Sequence, residues 1–130
     1  MKRITVLLCV AMLAAMMAVG ANAAATPGIT DNQVTIGAFQ DQSGAAAVVG
    51  INMRKGMEAY FNWVNAQGGV NGRKIKFIVE DDGFQAARAI AATKKLVEQD
   101  KVFALVGTLG TPGVAATIDY IMEKQIPSIY

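Results

Sequence analysis

Apolar and polar residues follow two different periods along residues 29–130. Short, largely apolar runs are typical of strands that are covered on both faces of a sheet. They lie at residues 34–39, 74–80 and 102–106, and a fourth begins near Ser128. The segments between them repeat apolar residues every three or four positions, which predicts amphipathic helices at 50–66, 85–99 and 112–124. The alternation predicts an α/β fold, a parallel sheet with helices on both faces.

Each predicted helix presents one apolar stripe to the sheet. The stripe of the first helix comprises Met53, Met57, Tyr60, Phe61 and Val64. The stripes of the second and third helices include Ile90, Ile118 and Met122. Methionines and aromatic residues at helical spacing are typical of a core and not of a cofactor site, so no cofactor is predicted.

Turn-forming residues support these boundaries and indicate the order of the strands. Gly68 and Gly69 can end the first helix in a left-handed conformation, and Asn71 with Gly72 supplies a tight turn into the second strand. Right-handed crossovers then place strand one between strands two and three. The predicted order is 2-1-3 with strand four next, which is that of a flavodoxin-like half-sheet.

The first 23 residues have the three parts of a secretory signal peptide. Two basic residues precede an uncharged apolar stretch at 4–19, and small residues at 21 and 23 stand before a cleavage site. A membrane anchor is the alternative, but the stretch is shorter than the roughly 18 to 20 residues of a spanning helix. We therefore predict a signal peptide at 1–23, a mature part at 24–130 and a periplasmic location.

The charges and the reactive side chains exclude several classes of function. The chain has 12 basic and 10 acidic residues, and two of the basic ones, Lys2 and Arg3, lie in the predicted signal peptide. Residues 24–130 are therefore electrically balanced and lack the clustered positive charge that nucleic acid requires. The only cysteine, Cys9, also lies in the signal peptide, and the chain has no histidine. The mature part is predicted to have no disulfide and no thiolate or imidazole metal site.

Two predicted loops meet at the carboxyl ends of the strands, where ligands collect in an open sheet of this kind. The loop after strand one contains Ser43 and Gly44, and the loop after strand three contains Gly110, Thr111 and Pro112. Thr111 is the predicted N-cap of the third helix, with Pro112 as its first residue. Free amides, the helix dipole and the Thr111 hydroxyl would hold a carboxylate there. The alternative is a helix start without a ligand; the glycine spacing does not match a dinucleotide-binding loop.

The only acidic cluster, at 80–82, ends the second predicted strand. Because successive side chains of a strand point to opposite faces, the neighbouring carboxylates Asp81 and Asp82 are not expected to converge. No nucleophile, base and orienting group can be assembled from the remaining residues, so no catalytic residue is predicted and the protein is not expected to be an enzyme.

Three segments in combination give the chain a family resemblance. They are GGVNGRKIKFIVEDD at 68–82, AARAIAATKKLVEQ at 86–99 and VFALVGTLGTPG at 102–113. With the opening VTIGAFQDQSG, their order and spacing resemble the leucine/isoleucine/valine-binding (type I) family of periplasmic solute-binding proteins. The resemblance implies a monomeric two-lobed receptor that delivers a small solute to the membrane subunits of an ABC importer. It also implies that Thr111, with nearby amides such as that of Gly110, holds the ligand carboxylate, and that Ser43 and Gly44 line the same cleft.

The resemblance leaves the solute open and the fold incomplete. Some relatives carry an aromatic residue where this chain has Val49, and some have a disulfide from the end of strand two to the loop after strand three. A branched-chain amino acid, an aromatic acid, an amide and urea all stay possible, and a sensing domain on the same fold is the alternative function. Residues 24–130 correspond to the first part of lobe 1, so this piece alone is expected to bind solute weakly or not at all.

Overall fold

Four parallel strands form the framework of residues 26–130, the part of the chain that the computed structural model describes. The predicted signal peptide lies outside the described residues. The strands are β1 Gln33–Gln40, β2 Lys74–Asp81, β3 Ala104–Val106 and β4 Ser128–Ile129. The helices are α1 Ala47–Ala66, α2 Ala86–Lys94, which continues as a π-helical turn at Lys95–Gln99, and α3 Thr111–Glu123. The sheet order is β2-β1-β3-β4, which confirms the predicted order.

Strand β1 is the central strand, and its carboxyl end sets the position of the loops. It pairs with β2 along its whole length, from Gln33 opposite Lys74 to Gln40 opposite Asp81. Its pairing with β3 is shorter because β3 itself begins at Ala104, two residues later than predicted. The amide of Val102 donates to the carbonyl of Leu96 instead of to a strand.

The connection from α1 to β2 has the conformation that its glycines predict. The amide of Gly69 donates to the carbonyl of Val64 at 3.0 Å, and that of Gly68 donates to Asn65 at 3.2 Å. This pair of bonds with positive φ angles is a Schellman motif, in which glycine avoids the strain that a Cβ would cause. Asn71 and Gly72 then form the predicted tight turn, with φ angles of 50° and 79°.

The two faces of the sheet carry different helices. On one face the fully buried Phe39 packs with Ala89 of α2, and a second cluster joins Leu96, Leu105 and Ile121. Burying each large side chain of this kind contributes about 1.5–3 kcal/mol. The opposite face carries α1, whose Met57 lies against Gly107 and Gln40. The prediction of helices on both faces is confirmed.

The predicted apolar stripes are wider than the faces that the helices bury. Tyr60 is 60% exposed and stacks on Trp63 at a ring distance of 6.0 Å, so its assignment to the core was wrong. The neighbouring Phe61 instead packs against Phe77 of β2 at 5.2 Å. Phe61 and Met57 thus face the sheet from α1, whereas Tyr60 lies on the solvent side of the helix. Ile90, Ile118 and Met122 are likewise exposed on the outer sides of α2 and α3.

Beside α1 the sheet keeps an open apolar groove of about 290 Å³. It is lined by residues of all four strands and their flanks, among them Val34, Ile36, Ala104, Val106 and Ile129. Within residues 26–130, every helix is too short or too polar to cross a bilayer.

Candidate functional site

The loop between β1 and α1 is organised by one buried carboxylate. Asp41 follows β1 directly, and its side chain accepts hydrogen bonds from the amides of Ser43, Gly44 and Ala46. These amides precede α1, so the carboxylate also lies near the positive end of that helix dipole. The arrangement fixes Ser43 at an exposed position and Gly44 at a half-buried one.

Asp81, the last residue of β2, ties this loop to the sheet edge. Its Oδ1 accepts from the Gln42 amide at 2.8 Å and the Gly83 amide at 3.0 Å, while its Oδ2 accepts from the Ser43 hydroxyl at 2.6 Å. Arg88 donates to the same Oδ2 at 2.9 Å. Burial by itself would raise the pKa of Asp81, but these hydrogen bonds outweigh it and lower the pKa to about 2. The Ser43 hydroxyl thus has a structural partner, which the sequence did not indicate.

Asp82 is buried and only half satisfied. Its Oδ1 accepts from the Phe84 amide at 3.0 Å, whereas its Oδ2 has no hydrogen-bond partner among the described residues. Burial raises the pKa of Asp82, and the negative charges of Asp41 and Asp81 raise it further. A Cβ placed on Gly113 would lie 3.1 Å from the free Oδ2, so this carboxylate packs against the first turn of α3.

The expectation that the neighbouring carboxylates do not converge was wrong. Asp41, Asp81 and Asp82 each bring one oxygen within 4.8 Å of the other two. Asp82 follows the last residue of the strand, so the strict alternation of side chains ends before it. Five of the six oxygens accept hydrogen bonds from loop amides, Ser43 or Arg88. In residues 26–130 the cluster therefore serves to hold loops together.

The loop between β3 and α3 presents unpaired donors at a helix start. Gly110, and not Thr111, is the N-cap residue, and its φ of 114° is a conformation that only glycine adopts without strain. The helix therefore begins one residue earlier than predicted, with Thr111 in the first position and Pro112 in the second. Within residues 26–130 the Gly110 and Thr111 amides donate to no acceptor. The Thr111 side chain is exposed and caps no amide.

The turn between β2 and α2 lies between the two predicted ligand loops. The Gly83 carbonyl is the nearest group to the position where a Cβ of Gly44 would lie, and the ring of Phe84 covers Gly110. Gly44 therefore meets this turn on one side, and Gly110 meets it on the other. Sequence reasoning did not identify Asp41 or Phe84, although a carboxylate directly after a strand is a recognisable signal for capping a loop.

Comparison with known proteins assigns the family. The family model described as periplasmic binding protein matches residues 33–130. The chain belongs to the periplasmic binding protein family. The resemblance seen in the sequence is thereby confirmed, and the family's fold agrees with the parallel sheet described above.

One curated relative and two solved structures illustrate the relationship. An "amino acid binding protein" of Pseudomonas aeruginosa is 39% identical over 74 residues, which are 57% of this chain and 20% of that protein. The branched-chain amino acid transporter substrate-binding protein LivJ of Streptococcus pneumoniae, in complex with isoleucine, aligns with a TM-score of 0.70 and 30% identity. That alignment covers 75% of this chain and 28% of LivJ. An ABC transporter solute-binding protein of R. palustris in complex with benzoate aligns with a TM-score of 0.65 and 30% identity, over 75% and 27% of the two chains.

This periplasmic binding protein spans 20 to 24% of the length of the curated relatives that it matches. The matched region contains β1 to β4 and both loops at their carboxyl ends. The region that the family model matches, residues 33–130, thus includes every residue of the candidate site.

Proposed function

We propose that this periplasmic binding protein is an extracytoplasmic receptor that captures a small carboxylate-bearing solute and delivers it to an ABC importer. Residues 1–23 are its signal peptide in this proposal, and the mature protein resides in the periplasm. A branched-chain or related amino acid is the proposed solute. Two related proteins are described in complex with isoleucine and with benzoate, which share a carboxylate and little else.

The start of α3 is the observation that supports a carboxylate site. The exposed hydroxyl of Thr111 and the unpaired amides of Gly110 and Thr111 lie together at the amino end of a 13-residue helix. Such an end carries partial positive charge and offers N–H groups, both of which favour an anion. We assign the solute carboxylate to this loop, with Ser43 and Gly44 on the neighbouring wall.

Charged side chains near the site support binding over chemistry. The guanidinium of Arg88 already pairs with Asp81 at 2.9 Å, and Lys95 pairs with Glu80 and Asp100. The acidic groups of the carboxylate cluster hold loop amides, and a general base would need to give up those bonds. The proposal is therefore a solute receptor without a catalytic step.

Replacing the Thr111 hydroxyl tests this assignment. The Thr111→Val variant keeps the shape of the side chain and removes its donor, and Thr111→Ser keeps the donor. Both are prepared in the length that the source cell makes, and their affinities for L-isoleucine and for benzoate are measured by isothermal titration calorimetry. A lost hydrogen bond to a charged group costs about 1.5–3 kcal/mol, so Thr111→Val should bind roughly tenfold or more weakly.

Two outcomes count against the proposal. Equal affinity of Thr111→Val and the unaltered protein would show that the hydroxyl does not hold the carboxylate. If neither solute nor any member of a panel of amino and aromatic acids binds the unaltered protein, the receptor function itself is wrong.

A further inference from the structure

We infer that Phe84 is a positioning residue, whose ring fixes the shape of the 107–113 loop and so the direction of the donors at the start of α3. Nothing in the family match assigns this residue a role. The consequence for solute affinity depends on the function proposed above, but the effect on the loop does not.

The backbone around Phe84 is a tight turn that directs its side chain. Gly83 and Phe84 have φ angles of 55° and 60°, and the Gln85 amide donates to the Asp82 carbonyl at 3.0 Å. Two central residues with positive φ and this bond correspond to a type I′ turn. A left-handed conformation is unfavourable for a phenylalanine, and it persists here because Asp82 also accepts the Phe84 amide.

The turn delivers the ring of Phe84 onto Gly110. A Cβ at Gly110 would lie 3.2 Å from Cε2 and 3.3 Å from Cδ2 of the ring. Apart from the chain neighbours of Gly110, no other described residue comes within 4 Å of that position. The ring is therefore the one side chain in residues 26–130 that covers this face of the residue on which α3 begins.

The rest of the loop is held from other directions. The Leu109 amide donates to the Phe39 carbonyl of β1 at 3.1 Å, and Gly113 lies against the Phe39 ring and Ala89. Gly110, between these two attachments, has the φ of 114° that turns the chain into the helix. A glycine by itself can adopt many backbone conformations, so the φ angle of Gly110 needs a contact from outside the loop to fix it. Phe84 supplies this contact.

The direction of the unpaired donors follows from this contact. The Gly110 and Thr111 amides lie on either side of the Gly110 Cα, so a rotation about its φ or ψ changes the direction of one amide relative to the other. Phe84 is 37% exposed, so part of its ring lies in solvent. Its role is argued through Gly110, and it is not assigned a contact with the solute.

Hydrogen exchange measured by mass spectrometry tests the inference without any solute. The full-length protein made by the source cell is compared with its Phe84→Ala and Phe84→Tyr variants. In peptides that contain residues 107–114, the hydrogen-bonded amides of Gly107, Leu109 and Val114 should exchange about tenfold faster in Phe84→Ala and at the unaltered rate in Phe84→Tyr. Peptides of β1 and β2 should keep their rates. Tyr60→Ala is the matched control, because Tyr60 is an exposed aromatic residue on α1 away from the loop.

Calorimetry with L-isoleucine on the same proteins measures the consequence for binding. Phe84→Ala should bind about tenfold more weakly, in step with the faster exchange, and Phe84→Tyr should bind normally. If the unaltered protein does not bind L-isoleucine, the proposed function fails for that solute, and the exchange data still decide the inference. If Phe84→Ala does not fold, Phe84→Leu replaces it, with an intermediate acceleration of exchange expected.

Two results would overturn the inference. The first is an exchange rate of residues 107–114 in Phe84→Ala that stays within about twofold of the unaltered protein. Such a rate, in Phe84→Ala or in the Phe84→Leu variant that replaces it, would mean that the ring does not fix the loop. Weaker binding with unaltered exchange would mean that Phe84 acts by touching the solute and not by positioning the loop.

Discussion

Neutralising Asp81 should remove a stability contribution that depends on pH in a defined window. The Asp81→Asn variant keeps the shape of the side chain and an acceptor for the Gln42 and Gly83 amides, but it loses the charge that faces Ser43 and Arg88. The pKa of Asp81 falls from an ordinary 3.8 to about 2 in the folded protein. Since the folded-state pKa is lowered, its stabilisation is complete above the unfolded pKa and is lost as the pH falls towards about 2.

The size of the effect follows from the shift. Each pKa unit corresponds to about 1.4 kcal/mol, so a shift of just under two units corresponds to roughly 2.5 kcal/mol. The Asp81 side chain is 31% exposed in its pair with Arg88. Solvent screening therefore reduces the stabilisation to about 1–2 kcal/mol.

Urea unfolding monitored by circular dichroism at several pH values measures the difference between Asp81→Asn and the unaltered protein. We expect the variant to be about 1–2 kcal/mol less stable at pH 6 to 7 and nearly equal at pH 2. Asp119→Asn is the control, because Asp119 lies exposed on α3 and should show little difference at any pH. A deficit of Asp81→Asn that stays constant from pH 7 to pH 2 would refute the assignment of the effect to the charge.

Two further substitutions test the packing around the carboxylate cluster. Asp82→Asn should stabilise the protein by about 1 kcal/mol near pH 7 and not below pH 4, because a raised folded pKa means that stability is lost as the pH rises through it. Urea unfolding at the two pH values checks this, and destabilisation at pH 7 would contradict it. Gly113→Ala should destabilise by about 1–2 kcal/mol, since its Cβ would lie 2.8 Å from the buried Phe39 ring and 2.9 Å from Ala89. Gly56→Ala on the open side of α1 is the control and should gain about 0.5–1 kcal/mol; equal effects of the two would exclude the clash.

The elements of regular structure were predictable because their signals are periodic. The sheet order followed from three strand-helix repeats and the right-handed crossover, and the Schellman motif followed from Gly68 and Gly69. The buried faces of the helices were predicted less well. Periodicity shows which side of a helix is apolar, but not how much of that side the sheet covers. Tyr60 and Phe61 are adjacent in the same stripe, yet only Phe61 meets a strand residue, Phe77.

The site was predictable in place but not in detail. Its location after β1 and β3 followed from topology, whereas the start of α3 at Thr111 depended on the backbone angle of Gly110, which leaves no pattern in the sequence. The contact between Phe84 and Gly110 joins segments 26 residues apart and requires an unfavourable φ at a phenylalanine. Local rules predict against such a conformation, so only the folded structure reveals it.

The end of β2 explains how one edge strand can support loops on both faces of the sheet. Asp81 pairs with Gln40 in the register and points to the face that carries α1, where it binds the loop that precedes that helix. Asp82 faces the other side, where it holds the Phe84 turn and packs on Gly113. The two neighbouring carboxylates thus act mainly on different loops, although Oδ1 of Asp81 also accepts from the Gly83 amide of the Phe84 turn. Asp41 adds a third negative charge close to both carboxylates. Its repulsion raises the pKa of Asp82, whose Oδ2 has no hydrogen-bond partner among the described residues. Substitutions at Asp81 should therefore loosen the 42–46 loop, and substitutions at Asp82 should act on the 107–113 loop.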